Sequence, residues 1–291
     1  MKIAAYLDRG RPRVGIVASD LQSIVPLELE AEQAARGALH VVELLAAGAP
    51  LPPTGAPVAL ESVRLLAPIP RPRRNIFCIG KNYHAHAREF AGSGFDSSAK
   101  AGGDIPAVPI VFTKVPESVI ATGEPIVVPR EVSTAIDYEA ELAVVIGKGG
   151  KGIRRGDAMA HVWGYTIVND VTSRDWQSRH QQWHMGKSFD TFCPMGPWLV
   201  SADACDGTRT RVRCWVNGEL RQDAPTTDLI FDIPTLIETL SAGITLYPGD
   251  LIATGTPVGV GIGFKPPKYL QPGDTVRIEI DGIGVLENPV R

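Results

Sequence analysis

The run Asp137-Tyr138-Glu139-Ala140-Glu141, continuing as Leu142-Ala143-Val144-Val145-Ile146, is the hardest stretch of this 291-residue chain to place. In a strand, alternate side chains share a face, so Asp137, Glu139 and Glu141 are expected together, with Tyr138, Ala140 and Leu142 opposite. The apolar tail carries the strand toward a core, where like charges repel and buried carboxylates need a cation. A solvated strand edge is the plain alternative. Against it stands a second run, Trp163-Gly164-Tyr165-Thr166-Ile167-Val168-Asn169-Asp170, which is rich in β-formers and ends on an acid. Such a strand delivers a ligand at its tip. Carboxylates without cysteine or paired histidine make a hard oxygen site, which selects Mg²⁺, Mn²⁺ or Ca²⁺ over Zn²⁺. Three of them leave coordination positions for substrate and water, so the site is expected to be catalytic.

The remaining chain must supply a fold able to bury such strands. Residues 1–70 read as a small module. Two β-type runs, Lys2–Leu7 and Pro12–Ala18, flank a turn and predict a hairpin, and Glu28–Ala47, rich in Ala, Leu and Glu, predicts one helix stopped by Gly48. Pro-rich stretches at 50–57 and 68–72 then lead into a larger domain, 73–291. There, strand-like runs at 75–79, 109–112, 139–146, 163–168, 210–216, 251–253 and 275–280 alternate with turns, two of them Pro-Gly-Asp. Helical pattern is confined to 85–90, 155–162 and 233–240. Without strand–helix alternation or a GxGxxG or GxxxxGK[ST] motif, Rossmann and P-loop readings fail, and a mainly β, α+β architecture is left. The Gly/Ser-rich stretch Ala91–Asp104 reads as a surface linker or as a lid beside a site.

A net charge of −3 gives no global field for nucleic acid or a membrane surface. The four cysteines are scattered without a CxxC pair, the N-terminus meets charge too early for a signal peptide, and no window reaches the ~18 apolar residues of a membrane span. A cytoplasmic protein with free thiols is expected, Cys193 among them as a small buried hydrophobe.

Several groups qualify for acid–base or electrophilic work. His86 and Glu89 stand at i, i+3 on a short helix, where a carboxylate can orient a histidine as general base; a surface ion pair is the alternative. His84 points elsewhere. Arg174 and Gln177 follow Asp170 closely. Lys187 sits in a stretch poor in charge, placed to neutralise a carboxylate or an enolate unless it is simply exposed. Thr254-Gly255-Thr256-Pro257 offers hydroxyls and open N–H groups at a strand end.

Seven motifs in order carry a resemblance. They are Gly80-Lys81-Asn82-Tyr83 with His86 and Glu89, Phe112-Thr113-Lys114, Asp137–Glu141, and Asn169-Asp170 through Gln177. Gly186-Lys187-Ser188-Phe189, Val216–Gln222 and Thr254–Pro257 complete the set. Over about residues 73–290 the chain resembles the fumarylacetoacetate hydrolase family, in its smaller acylpyruvate-hydrolase and oxaloacetate-decarboxylase branch. The resemblance implies a mixed β-sandwich roll with an added N-terminal α/β module, and a homodimer. It implies Mg²⁺ or Mn²⁺ on Glu139, Glu141 and Asp170, with Ca²⁺ a substitute in vitro. His86 and Glu89 become a dyad on a lid helix, Lys187 and Gln177 contact substrate, and Thr256 meets its carboxylate. Tyr83 and Arg174, with Arg179 and Trp183, are expected to set specificity. The expected reaction is cleavage of a C–C bond in a 2,4-dioxo acid of the acylpyruvate type through an enolate held at the metal. Oxaloacetate decarboxylation, or isomerisation or dehydration of a 2-oxo or sugar acid, uses the same electron sink. A non-catalytic ligand-binding module would need no base.

Overall fold

Every residue of the strand Ala140–Ile146 is buried, and its neighbours show why. In the computed structural model, which describes residues 1–92 and 105–291, this strand lies inside a 12-stranded sheet. It pairs antiparallel with Val162–Asn169 on one side and with Leu251–Ala253 on the other. Leu142, Val144 and Ile146 enter one core with Tyr165 and Ile167, while Ala143 and Val145 enter a second core on the opposite face with Ile3, Val41 and Leu199. A strand covered on both faces has no solvent side to alternate toward, so it reads as an unbroken apolar run.

The first core lies between the large sheet and a second, four-stranded antiparallel sheet ordered Glu219–Pro225, Arg211–Val216, Thr275–Ile280, Gly284–Pro289. Val212, Cys214, Val276 and Ile278 project from that sheet into it. The architecture is mainly β, as expected. The N-terminal hairpin is also present, as Lys2–Asp8 with Arg11–Val17, and its first strand pairs on its other edge with Cys193–Ser201 (Lys2 opposite Val200). The large sheet therefore runs without a gap from the first 70 residues into the rest of the chain.

Six α-helices are present among the described residues: α1 Ala31–Ala35, α2 Ala38–Ala46, α3 His84–Ala91, α4 Arg174–Arg179, α5 His184–Lys187 and α6 Ile233–Gly243. The single helix expected over Glu28–Ala47 is a correction: it breaks into α1 and α2 at Gly37, whose φ is +62°. The chain turns there because it abuts Pro68–Pro70, and Ala38 N–H donates to Pro68 O at 2.7 Å. Residues 155–161 wind as a 3₁₀ helix, and Asp232 caps α6 by accepting from Thr235 N–H at 3.0 Å. The strand Cys193–Ser201 was not legible in advance, since its Pro194, Gly196 and Pro197 argue against a ladder. It is accommodated where its register with Val162–Asn169 shifts between Tyr165 and Ile167. Of the stretch Ala91–Asp104, Ala91 ends α3 and Gly92 caps it; residues 93–104 lie outside the described set. None of the described helices is long and apolar enough to cross a membrane.

A Cβ at Gly37 would strike Pro68 O and come within 2.6 Å of Pro70 Cδ, on a backbone that L-residues adopt at a cost. Gly37→Ala is therefore expected to lower unfolding free energy by about 1–3 kcal/mol, read by chemical denaturation. An unchanged midpoint would show that the α1–α2 corner is not a constrained turn.

Candidate active site

Two adjacent strand ends assemble the acids. Asp170 follows the last residue of Val162–Asn169, and Ala140 lies opposite Asn169, so Glu139 and Glu141 flank that tip. Glu139 N–H donates to Asn169 Oδ1 at 3.0 Å and Asp170 N–H to Glu139 O at 2.8 Å. One ligand oxygen from each of Glu139, Glu141 and Asp170 then falls within 4.8 Å of the others, with all three residues buried.

Asp137 does not join them, which corrects the expectation that it shares their face. It belongs to a separate two-residue strand, Ile136–Asp137, paired with Thr172–Ser173. The chain leaves regular strand geometry at Tyr138 and Glu139, so the alternation that would align 137 with 139 is lost. Its carboxylate instead receives Arg174 Nε at 2.8 Å.

Three buried cations interleave with the acids. Lys187 Nζ lies 2.7 Å from both Glu139 Oε2 and Asp170 Oδ2. Lys114 Nζ donates to Asp170 Oδ1 at 2.7 Å and to the carbonyls of Val171 and Lys187. Arg174 Nη1 sits 2.7 Å from Glu139 Oε1 and donates to Gln177 Oε1 at 3.1 Å. Among the described residues Glu141 alone of the four buried acids here has no ion-pair partner, and its Oε2 accepts one backbone N–H, from Gly255 at 2.8 Å. Burial opposes the charge on Glu139, but Lys187 and Arg174 outweigh it and hold that carboxyl down to about 2. For Glu141 burial dominates, and the Asp170 and Glu139 charges push it further, well above the ordinary range. Burial works against the Lys187 ammonium, yet Asp170 and Glu139 raise its pKa.

A small cleft opens over this cluster. His86, Glu139, Glu141, Arg174, Gln177, Lys187 and Thr256, all singled out from sequence, line it. Glu89 stands behind His86, with Oε2 at 3.0 Å from His86 Nδ1, and is itself gripped by Gly259 N–H at 3.0 Å. Thr256 Oγ1 accepts from Gln222 Nε2 at 2.8 Å. Tyr83 is placed elsewhere: it borders a separate cleft with His84, Arg88 and Asp228, and its buried hydroxyl has no hydrogen-bond partner among the described residues. Trp183, expected to set specificity, also lines the cleft over the acids, and Ile79, Gly80, Lys81, Phe90 and Phe112 line it without having been given a role. Phe90 and Phe112 meet Trp183 edge-on, at 5.8 and 5.5 Å between ring centroids, as an apolar wall. Lys81 is buried in the left-handed region at φ +54°. Lys81 and Lys114 both stand in motifs that carry the family resemblance, Gly80–Tyr83 and Phe112–Lys114, and that was the available signal. The cysteines are buried and unpaired, and burial pushes the Cys193 thiol up to about 12, consistent with a packed hydrophobe.

The donor set fits a hard divalent cation. Three carboxylate oxygens converge, no soft ligand is among them, and Glu141 is a buried acid lacking a counter-charge. Asp137, Glu139 and Asp170 are paired with Arg174, Lys187 and Lys114, which leaves Glu141 as the acid of this set without an ion pair among the described residues.

Acids fixed by a buried sheet beneath a histidine–carboxylate pair define an enzyme whose substrate enters a small polar cleft. The chain belongs to the fumarylacetoacetate hydrolase family: residues 75–291 match the family described as Fumarylacetoacetate (FAA) hydrolase C-terminal. It is 53% identical over 233 residues to oxaloacetate tautomerase YisK of Bacillus subtilis (strain 168), covering 80% of this chain and 74% of that protein. Among solved structures it resembles the fumarylacetoacetate hydrolase of Exiguobacterium antarcticum, with 39% identity, a TM-score of 0.84, and coverage of 100% of this chain and 99% of that one. The maleylpyruvate hydrolase of Sphingobium sp. SYK-6, in complex with manganese(II) and pyruvate, gives 31% identity and a TM-score of 0.75, over 100% of this chain and 98% of that one.

Because the Glu141 pKa is raised on folding, its contribution to metal-free stability is present below the ordinary value of 4.5 and is lost as pH rises through the folded value. A bound cation requires the ionised form and reverses that sign. Mn²⁺ affinity should thus increase with pH and binding should release protons, read by calorimetry in two buffers of different ionisation enthalpy. At about 100 times its Kd, Mn²⁺ should add about 2.7 kcal/mol of stability. Glu141→Gln should remove the proton release; its persistence would assign the proton to another group.

Proposed function

We propose that this cleft catalyses keto–enol proton transfer on a small 2-oxo dicarboxylic acid, with oxaloacetate as the substrate. The observation that carries this reading is the placement of His86 and the three acids around one small cleft, with Glu89 holding His86 by Nδ1. In tautomerisation a proton leaves the enol hydroxyl at C2 and a proton reaches C3, and no bond between heavy atoms breaks. One correctly held base beside a polarised oxygen is sufficient. The name of the Bacillus subtilis relative supports the same substrate.

A divalent cation on Glu139, Glu141 and Asp170 would supply Lewis acidity toward the carboxylate and 2-oxo oxygens of the acid. The chain's own groups do the rest. With Nδ1 directed to Glu89, His86 keeps Nε2 as the nitrogen that exchanges the proton, and the Glu89 carboxylate stabilises the imidazolium formed in passing. Lys187 and Arg174 set positive charge beside the oxygen on which negative charge grows. The aromatic wall of Phe90, Phe112 and Trp183 keeps water from the carbon that is protonated.

Hydrolysis of a 2,4-dioxo acid is the second reading, and the maleylpyruvate hydrolase neighbour favours it. There His86 would deprotonate an attacking water, and the C3–C4 bond would break with pyruvate leaving.

With Mn²⁺ or Mg²⁺ the protein should accelerate the decay of the ultraviolet absorbance of enol-oxaloacetate. His86→Ala should slow this by about 10²–10⁴-fold while Mn²⁺ affinity is retained. Full activity in His86→Ala would discard the dyad as the base. Pyruvate release from an acylpyruvate, without enol decay, would move the assignment to hydrolysis.

A further inference from the structure

Asp137 takes no part in the chemistry above, yet it is fully buried and receives hydrogen bonds from four groups. Oδ1 accepts from Gly261 N–H at 2.6 Å and from Tyr138 N–H at 2.9 Å, and Oδ2 from Ile262 N–H at 2.9 Å and Arg174 Nε at 2.8 Å. A buried carboxylate must be paired and hydrogen-bonded, and the charge-assisted bonds that satisfy it here also hold its four partners in place.

Two of those connections lead to the cleft. The Arg174 guanidinium is wholly buried and lines it. Its Nε is taken by Asp137 and its Nη1 by Glu139 and Gln177, whereas Nη2 is buried without a partner among the described residues. Gly261 and Ile262 belong to the loop Gly259–Gly263, which holds the base from behind. Gly259 N–H donates to Glu89, and Gly263 lies so close that a Cβ there would strike the Glu89 carboxylate. One carboxylate thereby ties the cleft-lining guanidinium to the loop that grips the dyad.

We infer that Asp137 is a positioning residue, locking Arg174 through Nε so that its unpartnered Nη2 stands as a fixed donor for an anionic oxygen in the cleft. A free arginine side chain has several rotatable bonds, and ordering them on binding would reduce affinity; here they are ordered beforehand. Asp137 itself touches neither substrate nor metal in this assignment.

Oxalate, the smallest dicarboxylate, tests this on the Mn²⁺-loaded full chain and needs no turnover, so the result is independent of the reaction catalysed. Affinities for oxalate and, separately, for Mn²⁺ are measured for wild type, Asp137→Asn, Arg174→Gln and the double variant. Asp137→Asn should weaken oxalate by about tenfold, a coupling within the usual range for one hydrogen-bonded network, and leave Mn²⁺ affinity within about threefold. In the Arg174→Gln background the same change should alter oxalate affinity by less than about twofold, because its route of action is gone. Losses that add across the two sites, or Mn²⁺ affinity falling in step with oxalate, would overturn the assignment in favour of a brace for the fold or a metal ligand. Should Asp137→Asn not fold, Arg174→Lys carries the test, since it keeps the charge but not the second donor. About a tenfold loss of oxalate affinity is then expected, and an unchanged affinity overturns the inference.

Discussion

Four carboxylates and three cations share one small buried volume, and the remaining structure is arranged around keeping them there. An isolated charge in such a place costs several kcal/mol, so each needs a neighbour of opposite sign. The solution is a chain of alternating charge: Asp137, Arg174, Glu139, Lys187, Asp170, Lys114. Each inner member touches an opposite charge on both sides. Glu141 stands off the end of this series with one backbone N–H, and that asymmetry turns a balanced ionic lattice into a site with an appetite for a cation.

The lattice in turn dictates where the sheet must be strongest. Of its acids, Glu139, Glu141 and Asp170 come from the ends of Ala140–Ile146 and Val162–Asn169, two central strands packed between both cores, and Asp137 from the short strand before them. Its cations arrive from outside that pair, Lys114 from a strand at the sheet's edge and Arg174 and Lys187 from α4 and α5. The two short helices are joined to the acids mainly by charge. The aromatic wall and the His86–Glu89 pair then close over the top.

Much of this was legible from residue order. Carboxylates leading into an apolar run, and an apolar run ending in an acid, announce charges that a fold must reconcile, and the Glu139–Glu141–Asp170 cluster follows from them. Asp137 was misplaced because strand periodicity holds only while the ladder holds, and two irregular residues suffice to break it. The helix over 28–47 was drawn too long for a related reason: Gly37 is tolerable inside a helix by local preference, and what breaks the helix is contact with Pro68–Pro70, some thirty residues away in sequence. Cys193–Ser201 carries prolines that local rules count against a strand, and its pairing partners are too distant to be seen. Lys114 stood in a family motif without a role, because a buried lysine looks like any other until its acid is known.

The His86–Glu89 pair rides on α3, a helix of eight residues that the Gly259–Gly263 loop links to the charged lattice. The molecule is therefore divided by tolerance to change. Substitutions around the acids disturb a network in which every member depends on the next, and so are conservative by necessity. Substitutions in the wall of Phe90, Phe112 and Trp183 alter what the cleft admits without removing a buried charge. A lineage built on this plan can change its reaction by editing the cover while inheriting the floor.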